Sequence, residues 1–123
     1  MIERLWWAAA WLGVAIALVV SLMPPALDEH SGHADKVVHL AGYAVLMFWW
    51  AQLILVRRWR LAVAVLLLGV AIELLQGLTP DRKPDILDVL ANSAGVLAGW
   101  LGARILPNLP RRLARATLPA LRR

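Results

Sequence analysis

From Glu73 to Gly99 the chain reads ELLQGLTPDRKPDILDVLANSAGVLAG. One apolar segment ends here, a charged turn with two prolines follows, and a second apolar segment begins. Glu73 stands among leucines, valines and alanines. Past the turn, Asp85, Asp88, Asn92, Gly95, Gly99 and Gly102 recur at steps of 3, 4, 3, 4 and 3. At helical pitch that spacing draws a seam, first polar and then small, along a single face. Carboxylates and amides this close to hydrocarbon cost free energy unless partners reach them. The other helices are therefore expected to supply those partners.

Composition says what surrounds the seam. Of 123 residues, 61% are hydrophobic, against roughly 45–50% for a soluble domain. Four apolar runs carry the excess, at about 5–23, 36–56, 60–78 and 85–106, each near the ~20 residues that a spanning helix needs. Backbone polar groups in lipid are satisfied within a helix, so the expected fold is all-α, a four-helix transmembrane bundle over residues 1–106. There is no cysteine, which excludes disulfides and thiolate metal sites.

Charge sets the orientation. Ten of the 13 Lys and Arg residues (Arg4, Arg57, Arg58, Arg60, Arg104, Arg111, Arg112, Arg115, Arg122 and Arg123) fall on one side of such a bundle. Lys36, Arg82 and Lys83 fall on the other. The positive-inside rule then puts both termini in the cytoplasm, with residues 107–123 as a basic cytoplasmic tail. This clustering at span ends accounts for the net charge of +5 without nucleic acid. The tail's simplest partner is anionic inner-leaflet lipid.

Helix 2 carries Asp35, His39 and Tyr43 on one face, with Gly42 beside them. Helix 3 carries Glu73 and Gln76 near its outer end, where the helix dipole disfavours a carboxylate. Arg82 is in the turn, and Asp85, Asp88 and Asn92 open helix 4. His39, Glu73 and Asn92 share a depth of about one to two turns, roughly 6–10 Å at 1.5 Å per residue, below the outer surface. Asp35, Arg82, Asp85 and Asp88 ring them and Tyr43 forms the floor. The expected binding residues are thus Asp35, His39, Tyr43, Glu73, Gln76, Arg82, Asp88 and Asn92. Gly42, Gly95 and Gly99 are expected at helix contacts. All seven tryptophans fall in the opposite, cytoplasmic half.

His39 and Glu73 are the candidates for acid–base chemistry; a buried pair that fixes packing is the simpler account and is preferred. Asp35, His39, Glu73 and Asp88 would suit Mg²⁺ or Ca²⁺ better than zinc, but one imidazole is a weak argument, and neither metal nor cofactor is expected. His30 and His33, in the acidic first outer loop, are read as solvated surface. No phosphate loop, nucleophile elbow or paired-His zinc motif is present.

In these residues the chain resembles the VanZ-like family of small bacterial membrane proteins. The pattern is Asp35-Lys36-x-x-His39-x-x-x-Tyr43, then Glu73-x-x-Gln76, then Arg82, then Asp88-Val-Leu-Ala-Asn92-x-x-Gly95-x-x-x-Gly99. It covers about two-thirds of the chain; Asp81 departs from it, where the family often has Gly before the Arg. The resemblance implies a multi-pass protein of the bacterial cytoplasmic membrane, with a link to resistance against lipophilic glycopeptide antibiotics such as teicoplanin. A non-enzymatic role is favoured, binding a lipid-linked headgroup or lipophilic antibiotic at the outer face. The alternatives are an enzyme acting on a lipid-linked substrate through Glu73 and His39, and a structural subunit of a membrane complex.

Overall fold

The computed structural model describes residues 1–23, 32–80 and 83–117. Four long helices run α1 (Ile2–Leu22), α2 (Gly32–Leu53), α3 (Arg58–Gln76) and α4 (Ile86–Ile105), and a short α5 (Leu109–Thr117) follows a bend. Among the described residues there is no strand. Part of the expected tail is thus helical. The break between α4 and α5 is made by Pro107 and by Asn108 in the left-handed region at φ 60°.

α1, α3 and the bent α4–α5 unit are long and apolar enough to cross a membrane. α2 is long enough but falls short in apolar character, because Lys36, His39, Tyr43 and Gln52 lie along it. The reason is its place in the bundle. α2 packs along α4 and also meets α1 and α3, so Tyr43, Met47, Trp50 and Gln52 are buried in protein. α1 is the opposite case. Ala10 is its one buried residue, and Trp11, Leu12, Ile16, Val19 and Val20 are exposed, as a lipid-facing wall requires.

Contacts fix the directions. His39 meets Asn92 near one end, and Gln52 meets Leu106 near the other. α2 and α4 therefore run parallel. α1 and α3 run together against them, since Gln76 of α3 reaches Ser21 of α1. A parallel pair stacks like helix ends side by side, so each end needs countercharge. At the N-terminal ends of α2 and α4 stand Asp35 and Asp88, with Asp85 as the α4 N-cap accepting from the Leu87 N–H at 2.8 Å. At the C-terminal ends, Arg58 donates to the carbonyls of Ala51 at 2.8 Å, Ala103 at 3.2 Å and Ile54 at 3.4 Å. One guanidinium thereby caps both helices.

The glycine seam explains the close approach of this pair. A Cβ on Gly95 would strike the Leu40 carbonyl, and one on Gly99 would strike the Ala44 carbonyl and, at 2.9 Å, the Phe48 nitrogen. The backbones themselves are in contact there. Gly42 corrects the expectation for helix 2. Nothing lies within 4 Å of where its Cβ would stand, so it packs no helix; Gly69 of α3 takes that role, lying under the Tyr43 ring.

The far end is aromatic. Trp6 and Trp49 stack at 4.1 Å between ring centroids, and Trp7 and Trp11 meet Trp50 edge-on at 5.6 and 5.1 Å. The Trp49 indole donates to the Trp6 carbonyl at 3.0 Å. These contacts pin α1 to α2 at one end, and Gln76 pins α1 to α3 at the other.

Candidate functional site

The polar end gathers side chains from α2, α3 and α4. Lys36 leads α2 into the cluster: its Nζ donates to Asp85 Oδ2 at 2.8 Å and to Asp88 Oδ1 at 3.1 Å. Three residues later, on the same face, His39 places Nδ1 3.0 Å from Asn92 Oδ1. Its Nε2 lies 4.0 Å from Asp35 Oδ1 and 3.9 Å from Asp88 Oδ2. His39 and Asp88 side chains are 9% and 10% exposed, whereas Asp35 is 39% exposed at the rim. Asp85, outside the spanning segments, has its pKa held below the ordinary carboxylate value, first by the Lys36 ammonium and then by the Leu87 N–H.

Glu73 reaches the cluster by another route. Its Oε1 accepts from the Asp85 backbone N–H at 2.6 Å, tying the end of α3 to the start of α4. This bond also satisfies a donor that the Asp85 side chain, occupied as N-cap and by Lys36, does not serve. Glu73 Oε2 and the Tyr43 hydroxyl are buried and have no hydrogen-bond partner. Gln76 donates to the Ser21 carbonyl at 2.8 Å, closing one of the open carbonyls in the last turn of α1.

Among the expected site residues, Asp35, His39, Asp88 and Asn92 form one connected group. Glu73 joins it through Asp85. His39 and Glu73 share no hydrogen bond or ion pair; the imidazole faces Asn92 and two aspartates instead. Arg82 lies outside the described residues, as do Asp81 and His30. The bridging role of Lys36 was not anticipated from the sequence. The signal for it was present: Lys36, His39 and Tyr43 fall at i, i+3 and i+7, one helical face.

Beside the cluster, a half-open groove of about 610 Å³ runs between α1 and α2. Its walls are Ala10, Gly13, Ala17 and Val20 of α1 and Val38, Gly42 and Leu46 of α2. At the polar end it is bounded by Ser21, Asp35, His39, Tyr43 and Gln76. The open position of Gly42 is part of this groove, which is why no helix meets it.

An all-helical bundle with helices apolar enough to span a membrane, and a buried polar cluster at one end, defines a small integral membrane protein. The chain matches the VanZ/LLP1 family model over residues 2–107, and it belongs to that family. The match takes in all four long helices and stops at the bend before α5. No curated protein and no solved structure gives a match.

Proposed function

We propose that this VanZ-family protein is a non-enzymatic binding protein of the bacterial cytoplasmic membrane. Both termini lie in the cytoplasm and the polar end faces outward. It holds an amphiphile in the α1–α2 groove, either a lipid-linked headgroup or a lipophilic antibiotic of the teicoplanin type. The observation that carries this reading is the groove's chemistry: apolar along its length, polar at one end. An acyl chain suits the walls contributed by Gly13, Ala17, Gly42 and Leu46, and a hydrogen-bonding headgroup suits the end formed by Asp35, His39, Tyr43 and Gln76.

Gly42 supplies the test. Because nothing lies within 4 Å of a Cβ there and Gly42 lines the groove, the side chain of Gly42→Leu is expected to extend into the groove. The exchange also adds roughly 0.8 kcal/mol of helix propensity. In cells lacking the wild-type copy, expression of the protein should lower susceptibility to teicoplanin more than to vancomycin, which has no acyl chain. Gly42→Leu should accumulate normally and remove most of that difference. Equal protection by Gly42→Leu and wild type would refute the groove as the binding site.

Orientation is checked separately. In the cysteine-free chain, Lys83→Cys should react with a membrane-impermeant thiol reagent in intact cells. Val56→Cys, exposed at the opposite end, should react only after permeabilisation. The reverse pattern would turn the polar end toward the cytoplasm and exclude an extracellular ligand.

A further inference from the structure

Three ligand-type atoms converge at the polar end: Asp35 Oδ1 and His39 Nε2 from the first turns of α2, and Asp88 Oδ2 from the first turn of α4. All lie within 4.8 Å of one another. His39 Nε2 stands 4.0 and 3.9 Å from the two carboxylate oxygens. These distances are too long for hydrogen bonds. Among the described residues, Nε2 of this side chain, 9% exposed, makes no hydrogen bond and is aimed between two carboxylates. Ligands about 2.1 Å from a shared ion lie roughly 3.0–3.5 Å apart. The two His39 spacings would have to close by roughly 0.5–1 Å, and the spacing between the carboxylates by up to roughly 1.8 Å, to bring all three into one coordination sphere.

The other ring nitrogen argues the same way. Asn92 presents its carbonyl oxygen to His39 Nδ1 at 3.0 Å, and a carbonyl oxygen only accepts. With the amide in this orientation, Nδ1 is the donor, and a neutral ring then turns the Nε2 lone pair toward the aspartates. A metal-bound histidine is typically held in this way, with its distal N–H donated to a fixed oxygen. Asp35, Glu73, Asp85 and Asp88 bring four carboxylates to this end. Lys36 is the one Lys or Arg within ion-pair distance of them among the described residues. It holds Asp85 Oδ2 and Asp88 Oδ1, leaving Asp88 Oδ2 free to ligate.

We propose that Asp35, His39 and Asp88 bind a divalent first-row transition-metal ion, with Asn92 as the residue that orients the imidazole. Glu73 is taken up by the Asp85 N–H, and the remaining two carboxylates and one imidazole move the preference from the Mg²⁺ or Ca²⁺ expected of the four-residue set toward Mn²⁺ or Zn²⁺. The three side chains leave further positions on the ion open. The site shares Asp35 and His39 with the polar end of the groove, so metal binding is measured with the groove empty.

The test uses the full chain, purified in detergent, stripped with a chelator and titrated with metal alone. Mn²⁺ is followed by its electron paramagnetic resonance signal, and Zn²⁺ by competition with a chromophoric chelator. One ion should bind per chain. Asp35→Asn, a change at the half-exposed rim that breaks no hydrogen bond among the described residues, should keep wild-type helical content and weaken binding at least about 10-fold. His39→Gln should abolish binding, and Asn92→Ala should weaken it about 10- to 100-fold, the usual cost of losing an orienting partner. If the wild type binds no ion, or if folded Asp35→Asn binds as tightly as wild type, the site is not a metal site. Because no antibiotic or lipid ligand enters the assay, this outcome is independent of the groove experiment.

Discussion

Gly99→Ala is expected to destabilise the protein by about 1–3 kcal/mol, the cost of overpacking a tight interface, and Gly99→Leu is expected to prevent stable folding. The new Cβ would meet the Ala44 carbonyl and the Phe48 nitrogen, which are backbone atoms of α2. No side-chain rotation relieves such a contact, so α2 must move away from α4. That movement would also strain the bonds that join these helices at both ends, His39 to Asn92 and Gln52 to Leu106. Denaturant titration in mixed micelles, followed by circular dichroism, measures the loss. Gly102→Ala is the matched control, because its Cβ would lie 3.4 Å from the Phe48 ring, in ordinary contact. Gly99→Ala should unfold well before Gly102→Ala. If the two unfold together, the backbone contact does not hold the pair.

The second large effect is expected at Gln52. Its side chain is 2% exposed and uses both ends of its amide: Nε2 donates to the Leu106 carbonyl at 2.9 Å, and Oε1 accepts from the Leu109 N–H at 3.0 Å. It thus ties the carbonyl of Leu106, the C-cap of α4, to the first N–H of α5 across the bend. Gln52→Leu keeps the volume and removes both partners. Each part-buried group left unpaired costs about 1–3 kcal/mol, so a loss of roughly 2–6 kcal/mol is expected. Much of that loss should appear locally, as release of α5 from the bundle. Limited proteolysis within Leu109–Thr117 should speed up strongly in Gln52→Leu while α1 to α4 stay protected. Unchanged cleavage would mean that α5 is held by other contacts.

Several features of the fold and the polar end were legible in the chain. Length and hydropathy gave the helices, because a lipid-spanning segment must satisfy its own backbone and that demand leaves a run of about 20 apolar residues. The 3-4 spacing from Asp85 to Gly102 gave one face of α4, because helical pitch is a property of the backbone alone. Lys36 shows where such reading weakens. Its position on the His39 face was visible, but the aspartates it bridges are some 50 positions away.

Pitch determines which residues share a face; it does not determine what that face meets. Only the tertiary structure packed α2 directly against α4, turned His39 toward Asn92 and two aspartates, and gave Glu73 the Asp85 N–H as its partner. It likewise left Gly42 open to a groove while Gly95 and Gly99 touch backbone. The same residue type on two packed helices thus does two different things. The difference lies in which helix stands opposite, a fact set by packing in three dimensions and carried by no local stretch of sequence.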